Sequence, residues 1–169
     1  MTEEATAAVQ ATVAPTMLGA DRIKELLLHR SDNLLLDEAE ISGQTIKAWY
    51  RVTGEECWMQ GHFPGNPIFM GVMMLEFAAQ ACGVLALELH PDQQGMLGMI
   101  ARTDQTKWGQ IVRPGDVLSV TAVFDKKKIG SYRFRQVVVR VNNATAGKPA
   151  LACDYLYLGV ANAKATKEE

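Results

Sequence analysis

The chain has 169 residues, enough for one domain that buries a full core without disulfide or metal staples. At 48% hydrophobic and 21% charged it has the composition of a globular protein, and a formal net charge of −2 gives no electrostatic basis for binding nucleic acid or an anionic membrane. Cys57, Cys82 and Cys153 are far apart, and they and the histidines His29, His62 and His90 fit no metal-ligand spacing, so reduced thiols, a cytoplasmic location and no metal are expected.

The opening MTEEATAAVQATVAP has acidic residues where a secretion signal is basic, and lacks a continuous apolar core. Residues 1–18 are therefore read as a flexible extension and residues 162–169 as a disordered tail, leaving one domain over 19–161. From Asp21, a plausible cap, the apolar residues Ile23, Leu26 and Leu27 stand at helical spacing and predict a short helix. Residues 34–40 and 45–52 read as strands about a Ser42-Gly43 turn, with Ile46, Ala48, Tyr50 and Val52 alternating in the second. The prolines and glycines of GHFPGNPIFMG forbid a regular element.

That loop opens into VMMLEFAAQACGVLALELH, apolar on every side and too long for a typical strand. Glu76, Gln80 and Glu88 make it a poor membrane span, and a helix apolar all round belongs inside a protein. Strands follow at 96–103, 117–126, 131–141 and 150–160, with Lys126, Lys127 and Lys128 in a solvated turn. No helix separates these strands, so they should pair antiparallel. The expected class is α+β, one long central helix wrapped by an antiparallel sheet.

The chemistry concentrates between Gly61 and Gln80. His62 sits in a Gly/Pro-rigid loop that can aim its side chain, and imidazole is suited to accept a proton near neutral pH. Gly71 opens the apolar helix, where unpaired backbone N–H groups can polarise a carbonyl. Glu76, among Met74, Leu75, Phe77 and Ala78, should have its neutral form favoured by desolvation, as a general acid requires. Gln80, one turn on, is placed to hydrogen-bond that carboxyl group. Each has a plainer reading: a structural histidine, a paired buried glutamate, a glycine at a helix cap.

HFPGNPIFMGVMMLEFAAQ resembles the signature of the FabZ-type 3-hydroxyacyl-[acyl carrier protein] dehydratases, H-F-P-x-x-P-I-x-P-G-V followed by L-x-E-x-x-A-Q. His62, Phe63, Pro64, Pro67, Ile68, Gly71, Val72, Leu75, Glu76, Ala79 and Gln80 stand in matching places. IKELLLHRSDNLLLDEAEI is similar to the family's opening helix, His-Arg pair and first strand. IARTDQTKWGQIVRPGDVL is similar to a second segment, matching at Asp104, Val112, Pro114, Gly115 and Asp116. The likeness covers roughly residues 20 to 160.

The resemblance implies a hot-dog fold assembled as a homodimer or a trimer of dimers. It implies sites shared between subunits, and an acyl tunnel at the dimer interface for which Phe63, Pro67, Ile68 and Trp108 are candidates. It implies His62 as the base at C2, Glu76 as the acid at the C3 hydroxyl, the Gly71 N–H on the thioester carbonyl, and Gln80 and Val72 in support. The substrate would arrive on acyl carrier protein, with no cofactor beyond the phosphopantetheine that the carrier brings. Glutamate rather than aspartate at 76 predicts dehydration without the isomerisation of the FabA branch. Met70 departs from the motif proline, and Trp108, Gln110 and Ile111 depart from phenylalanine, a basic residue and proline, with Trp108 expected to narrow the tunnel. The rival readings are a hot-dog acyl thioesterase, an (R)-specific enoyl-CoA hydratase and a non-catalytic acyl-binding subunit.

Overall fold

A computed structural model of the chain describes residues 14–144 and 147–162. Its elements in order are β1 (Thr16–Leu18), α1 (Ala20–Leu26), β2 (Glu38–Ser42), β3 (Thr45–Arg51), α2 (Gly71–Leu89), β4 (Met96–Asp104), β5 (Lys107–Trp108), β6 (Val117–Lys128), β7 (Ser131–Val141) and β8 (Leu151–Asn162). Every strand pairing is antiparallel. The order across the sheet is β1-β2-β3-β6-β7-β8-β4, with β5 also on β8.

Helix α2 forms because its run of Ala, Leu, Met, Glu and Gln favours helix, and it stops where Pro91 follows the capping His90. By length and composition it could cross a membrane, but most of it is buried in the protein, with eleven buried residues and packing against β3, β6, β7 and β8. The expected helix-in-sheet arrangement is present.

The sheet curls around α2 at identifiable places. In β7 the buried residues are Tyr132 and Phe134, then Val137 and Val139, so the alternation changes phase between Arg135 and Val137. Gln136, at φ 53°, is the extra residue that inverts it. Such a bulge bends the strand and strengthens its twist. A register shift between Thr121 and Val123 of β6 lies opposite.

Several expectations need correction. Residues 1–13 lie outside the described residues, but Thr16–Leu18 of the expected extension form β1 against β2. Asn162 of the expected tail closes β8 opposite Met96, and residues 163–169 lie outside the described residues. Asp21 lies within the first turn of α1, and the extended Gly19 holds the cap position because the chain turns directly out of β1. The strand expected over 34–40 follows a 3-10 turn, Ser31–Asn33, and enters the ladder only at Glu38, continuing to Ser42. Leu35 gives its N–H to the Gln80 side chain instead of to a strand.

Candidate active site

His62 lies in the turn-rich loop before α2, half-buried, with Nδ1 3.0 Å from the Ile68 carbonyl oxygen. A carbonyl can only accept, so Nδ1 carries a proton and donates, and Nε2 is the ring nitrogen left unengaged by this bond. The Phe63 ring packs on the imidazole at 4.2 Å between centroids. The loop is tied to the segment before β6: Phe69 N–H donates to the Val112 carbonyl, and the Arg113 guanidinium donates to the Asn66 side chain.

At the head of α2, Met70 caps the helix without a side-chain bond, so the first N–H groups, those of Gly71 and Val72, stay available to a ligand carbonyl. Met70 has φ −62°, the value a proline would impose, so the approach to the helix keeps its shape without the motif proline. The Trp108 indole N–H donates to the Gly71 carbonyl at 2.8 Å. A Cβ on Gly71 would come within 3.0 Å of Trp108 Nε1.

Glu76, a turn and a half further on, accepts a 2.8 Å bond from Gln80 Nε2 and has His29 Nε2 3.3 Å from the same oxygen, Oε1. Gln80 is itself pinned, accepting from Leu35 N–H and donating to the Asn33 carbonyl. Two donors converging on Oε1 leave Oε2 for substrate or water. The desolvation expectation is overturned: His29 foremost, and then Gln80, outweigh the upward push of burial and hold the Glu76 carboxyl below its ordinary value of 4.5. His29 is the site residue that composition and spacing missed. The only signal for it was its place in the His-Arg pair.

Glu76 stands on the wall of a cavity of about 600 Å³, within the range of small-molecule sites. The wall comes from Leu26 at the end of α1 and residues 27–29 after it, one face of α2 down to Leu87, Gln93, residues 96–100 of β4, and Tyr132, Leu158 and Val160. Among the described residues, Glu76 is the only acidic side chain that lines it. The expected tunnel residues Phe63, Pro67, Ile68 and Trp108 do not line it. Phe63 and Trp108 lie outward, each 50% exposed, because they pack around the His62 loop and the head of α2 instead. Trp108 therefore does not narrow this cavity. His62 does not line it either, so within one chain the imidazole and the carboxylate belong to separate surfaces.

A family profile for ApeI-like proteins, described as ApeI dehydratase, matches residues 38–148. The 3-hydroxyacyl-[acyl-carrier-protein] dehydratase FabZ of Pectobacterium atrosepticum is 36% identical over 139 residues, 80% of this chain and 91% of that protein. The FabZ of Streptococcus pneumoniae strain CGSP14 is 42% identical over 113 residues, 66% of this chain and 80% of that protein. Among solved structures, the dehydratase heterocomplex ApeI:P from Xenorhabdus doucetiae superposes with a TM-score of 0.68 at 16% identity, covering 84% of this chain and 92% of that one. A Pseudomonas aeruginosa thioesterase superposes at 0.58 with 13% identity, covering 83% and 91%. At such identities the likeness establishes the hot-dog fold and nothing about hydrolysis.

Proposed function

The chain belongs to the 3-hydroxyacyl-[acyl-carrier-protein] dehydratase family, and from that premise we propose that it converts (3R)-3-hydroxyacyl carrier protein to the trans-2-enoyl thioester and water. The reaction would serve fatty-acid synthesis or a related polyketide or polyene pathway in the cytoplasm. The observation that carries this reading is Glu76, the single acid among the described residues of an otherwise largely apolar cavity, with Oε1 held from two sides and Oε2 without a partner among those residues.

In the proposed mechanism the thioester carbonyl rests against the Gly71 N–H, which stabilises the enolate as the C2 proton leaves for His62 Nε2. Glu76 protonates the departing C3 hydroxyl from Oε2, directly or through water. The entering acyl chain displaces the water that solvates Oε2, raising the carboxyl toward the protonated form that the step needs. Gln80 and Val72 support the helix end, and no cofactor is required beyond the carrier's phosphopantetheine. The enoyl product is released without efficient isomerisation.

A homodimer, alone or in a trimer of dimers, supplies the second half of each site. Two features support it: Phe63, Val72, Trp108 and Ile111 are exposed apolar side chains at or near the head of α2, and β4 is an exposed edge strand of nine residues.

The test is an assay of 3-hydroxyacyl thioesters on carrier protein and on coenzyme A, following enoyl absorbance and free thiol together. Dehydration on the carrier, abolished by His62→Ala and by Glu76→Gln, is expected, with losses of about 10²–10⁴-fold. Thiol release without enoyl product would sink the reading, and a preference for coenzyme A would move it to the hydratase branch.

A further inference from the structure

His62 and Glu76 lie on separate surfaces of one chain, yet the supports of both trace to a single bend, residues 31–35 between α1 and β2. On the side of Glu76, the Asn33 carbonyl accepts a 2.7 Å bond from Gln80 Nε2, and the Leu35 N–H donates to Gln80 Oε1 at 2.9 Å. Gln80 in turn donates to Glu76 Oε1, and His29, which reaches the same oxygen, stands just before the bend. On the side of His62, Asp32 Oδ2 accepts the Cys57 N–H at 2.8 Å, and the Asp32 carbonyl accepts from Trp58 Nε1 at 3.3 Å. The Trp58 ring meets that of Phe69 edge-on, 5.1 Å between centroids. Phe69 follows Ile68, whose carbonyl holds the His62 ring, and the His62 N–H donates to the carbonyl of Met59, next after Trp58.

We propose that Asp32 is a positioning residue for both halves of the reaction, fixing the His62 loop through Cys57 and Trp58 and the Glu76 carboxylate through the adjoining Asn33 carbonyl and Gln80. The bend lies outside the sheet ladder and carries Ser31 at φ 51°, so its place depends on the groups that tie it to the rest of the chain. An aspartate in such a turn ordinarily accepts from an N–H of its own, two residues on. The half-buried Asp32 carboxylate instead reaches 25 positions along the chain. The Cys57 N–H foremost, and then its thiol, hold the Asp32 carboxyl below its ordinary value of 3.8, so near neutral pH this tie is a charge-assisted bond. Asp37 offers a matched comparison: its Oδ2 accepts the Arg51 N–H at 2.7 Å, a bond of the same kind that ties into β3.

Because Asp32 acts through His62 and Glu76, its role rests on the acid–base reading, and the test reads position and rate separately. The full chain has three histidines, so its imidazole C–H signals can be followed one by one by carbon–proton NMR. In Asp32→Ala the His29 and His62 signals should both move. The His90 signal should stay, since that ring caps the other end of α2 between Phe124 and Tyr132. Asp37→Ala should leave all three in place. On a carrier-bound 3-hydroxyacyl thioester, Asp32→Ala should lower kcat about ten- to a hundredfold and change KM less than about threefold, because reacting groups are misplaced while binding is kept. Asp32→Asn keeps an oxygen for the Cys57 N–H and should hold kcat within about threefold. Should Asp32→Ala fold poorly, Trp58→Phe keeps a ring against Phe69, loses only the N–H to Asp32, and should move the same two signals and lower kcat a few-fold. Movement of only one of the two signals, equal movement in Asp37→Ala, or an unchanged kcat in Asp32→Ala overturns the proposal. Absence of dehydration by the unsubstituted chain would overturn the proposed reaction and leave the imidazole comparison readable.

Discussion

His29 Nε2 lies 3.3 Å from Glu76 Oε1, the oxygen that also accepts from Gln80, so the carboxylate is held from two sides. His29 Nδ1 is buried without a partner among the described residues, and an unmet lone pair is easier to bury than an unmet N–H. The favoured tautomer therefore carries its proton on Nε2 and donates it to Glu76. His29→Ala removes the foremost cause of the lowered Glu76 pKa. A general acid must be protonated to work, so raising its pKa carries the alkaline limb of the kcat/KM profile to higher pH. The expected result is that upward displacement, with kcat about ten- to a hundredfold lower from lost positioning. A reduced kcat with an unmoved alkaline limb would remove His29 from the acid's environment.

Gly71 and Trp108 should be coupled. A methyl at Gly71 would stand 3.0 Å from Trp108 Nε1 and 3.2 Å from Cδ1, forcing the indole away and straining its bond to the Gly71 carbonyl. Gly71→Ala should lower kcat/KM about tenfold, because the N–H proposed to polarise the carbonyl is at the same residue. Trp108→Phe alone removes one exposed hydrogen bond and should change activity only a few-fold. Phenylalanine has no indole N–H in the crowded contact, so the double variant should be more active than the product of the single effects allows. A double-mutant cycle on kcat/KM reads this directly, and strict additivity would show that the contact does not transmit.

What was legible in the sequence follows from the range of the interactions. Helix α2 and strands β6, β7 and β8 were visible because their hydrophobic runs are long and regular. The Gln136 bulge was not, since one residue at positive φ leaves no compositional trace. Strands β1 and β5 have three and two residues, too short for a period to register. The motif loop gave His62 and its rigid setting, but its anchor is the Ile68 carbonyl, a backbone atom that no residue type announces. For Glu76 the local context suggested a desolvated acid. The deciding partner, His29, is 47 positions earlier in the chain and arrives only through the packing of α1 on α2.

Glu56 anchors the stretch that leads to His62. It is 4% exposed and accepts from the Tyr50 hydroxyl and from the Thr53 and Gly54 N–H groups. Burial pushes its pKa up, but the N–H groups of Thr53 and Glu56, the Tyr50 hydroxyl and the Gly54 N–H together hold it below 4.5. A folded-state pKa below the unfolded one stabilises above the unfolded value and loses that contribution as pH falls through the folded one. Glu56→Gln should therefore cost about 2–3 kcal/mol in urea unfolding at pH 7. The gap to the unsubstituted protein should narrow steadily below about pH 4.5, where both side chains become neutral. A gap independent of pH would mean that shape rather than charge holds the loop.

The last expectation concerns which chain supplies which half of the site. Within one protomer His62 is absent from the cavity that Glu76 lines, while the apolar side chains Phe63, Val72 and Trp108 around the head of α2 face outward. If a second copy covers that face across a two-fold axis, each site pairs His62 of one chain with Glu76 of the other. Co-expression of His62→Ala and Glu76→Gln chains then gives about half mixed dimers by random pairing. In a mixed dimer one site carries both defects, and the other joins an unaltered His62 to an unaltered Glu76. About a quarter of all sites should be intact, and activity should recover to that fraction, against almost none for either variant alone. Differently tagged chains purified through both tags isolate the mixed dimer, which should show about half the activity of the unsubstituted protein. If both residues served one site within a single chain, every site would keep one defect and no mixing could restore activity. An inactive, verified mixed dimer would defeat the shared site while leaving the dehydration itself to its own assay.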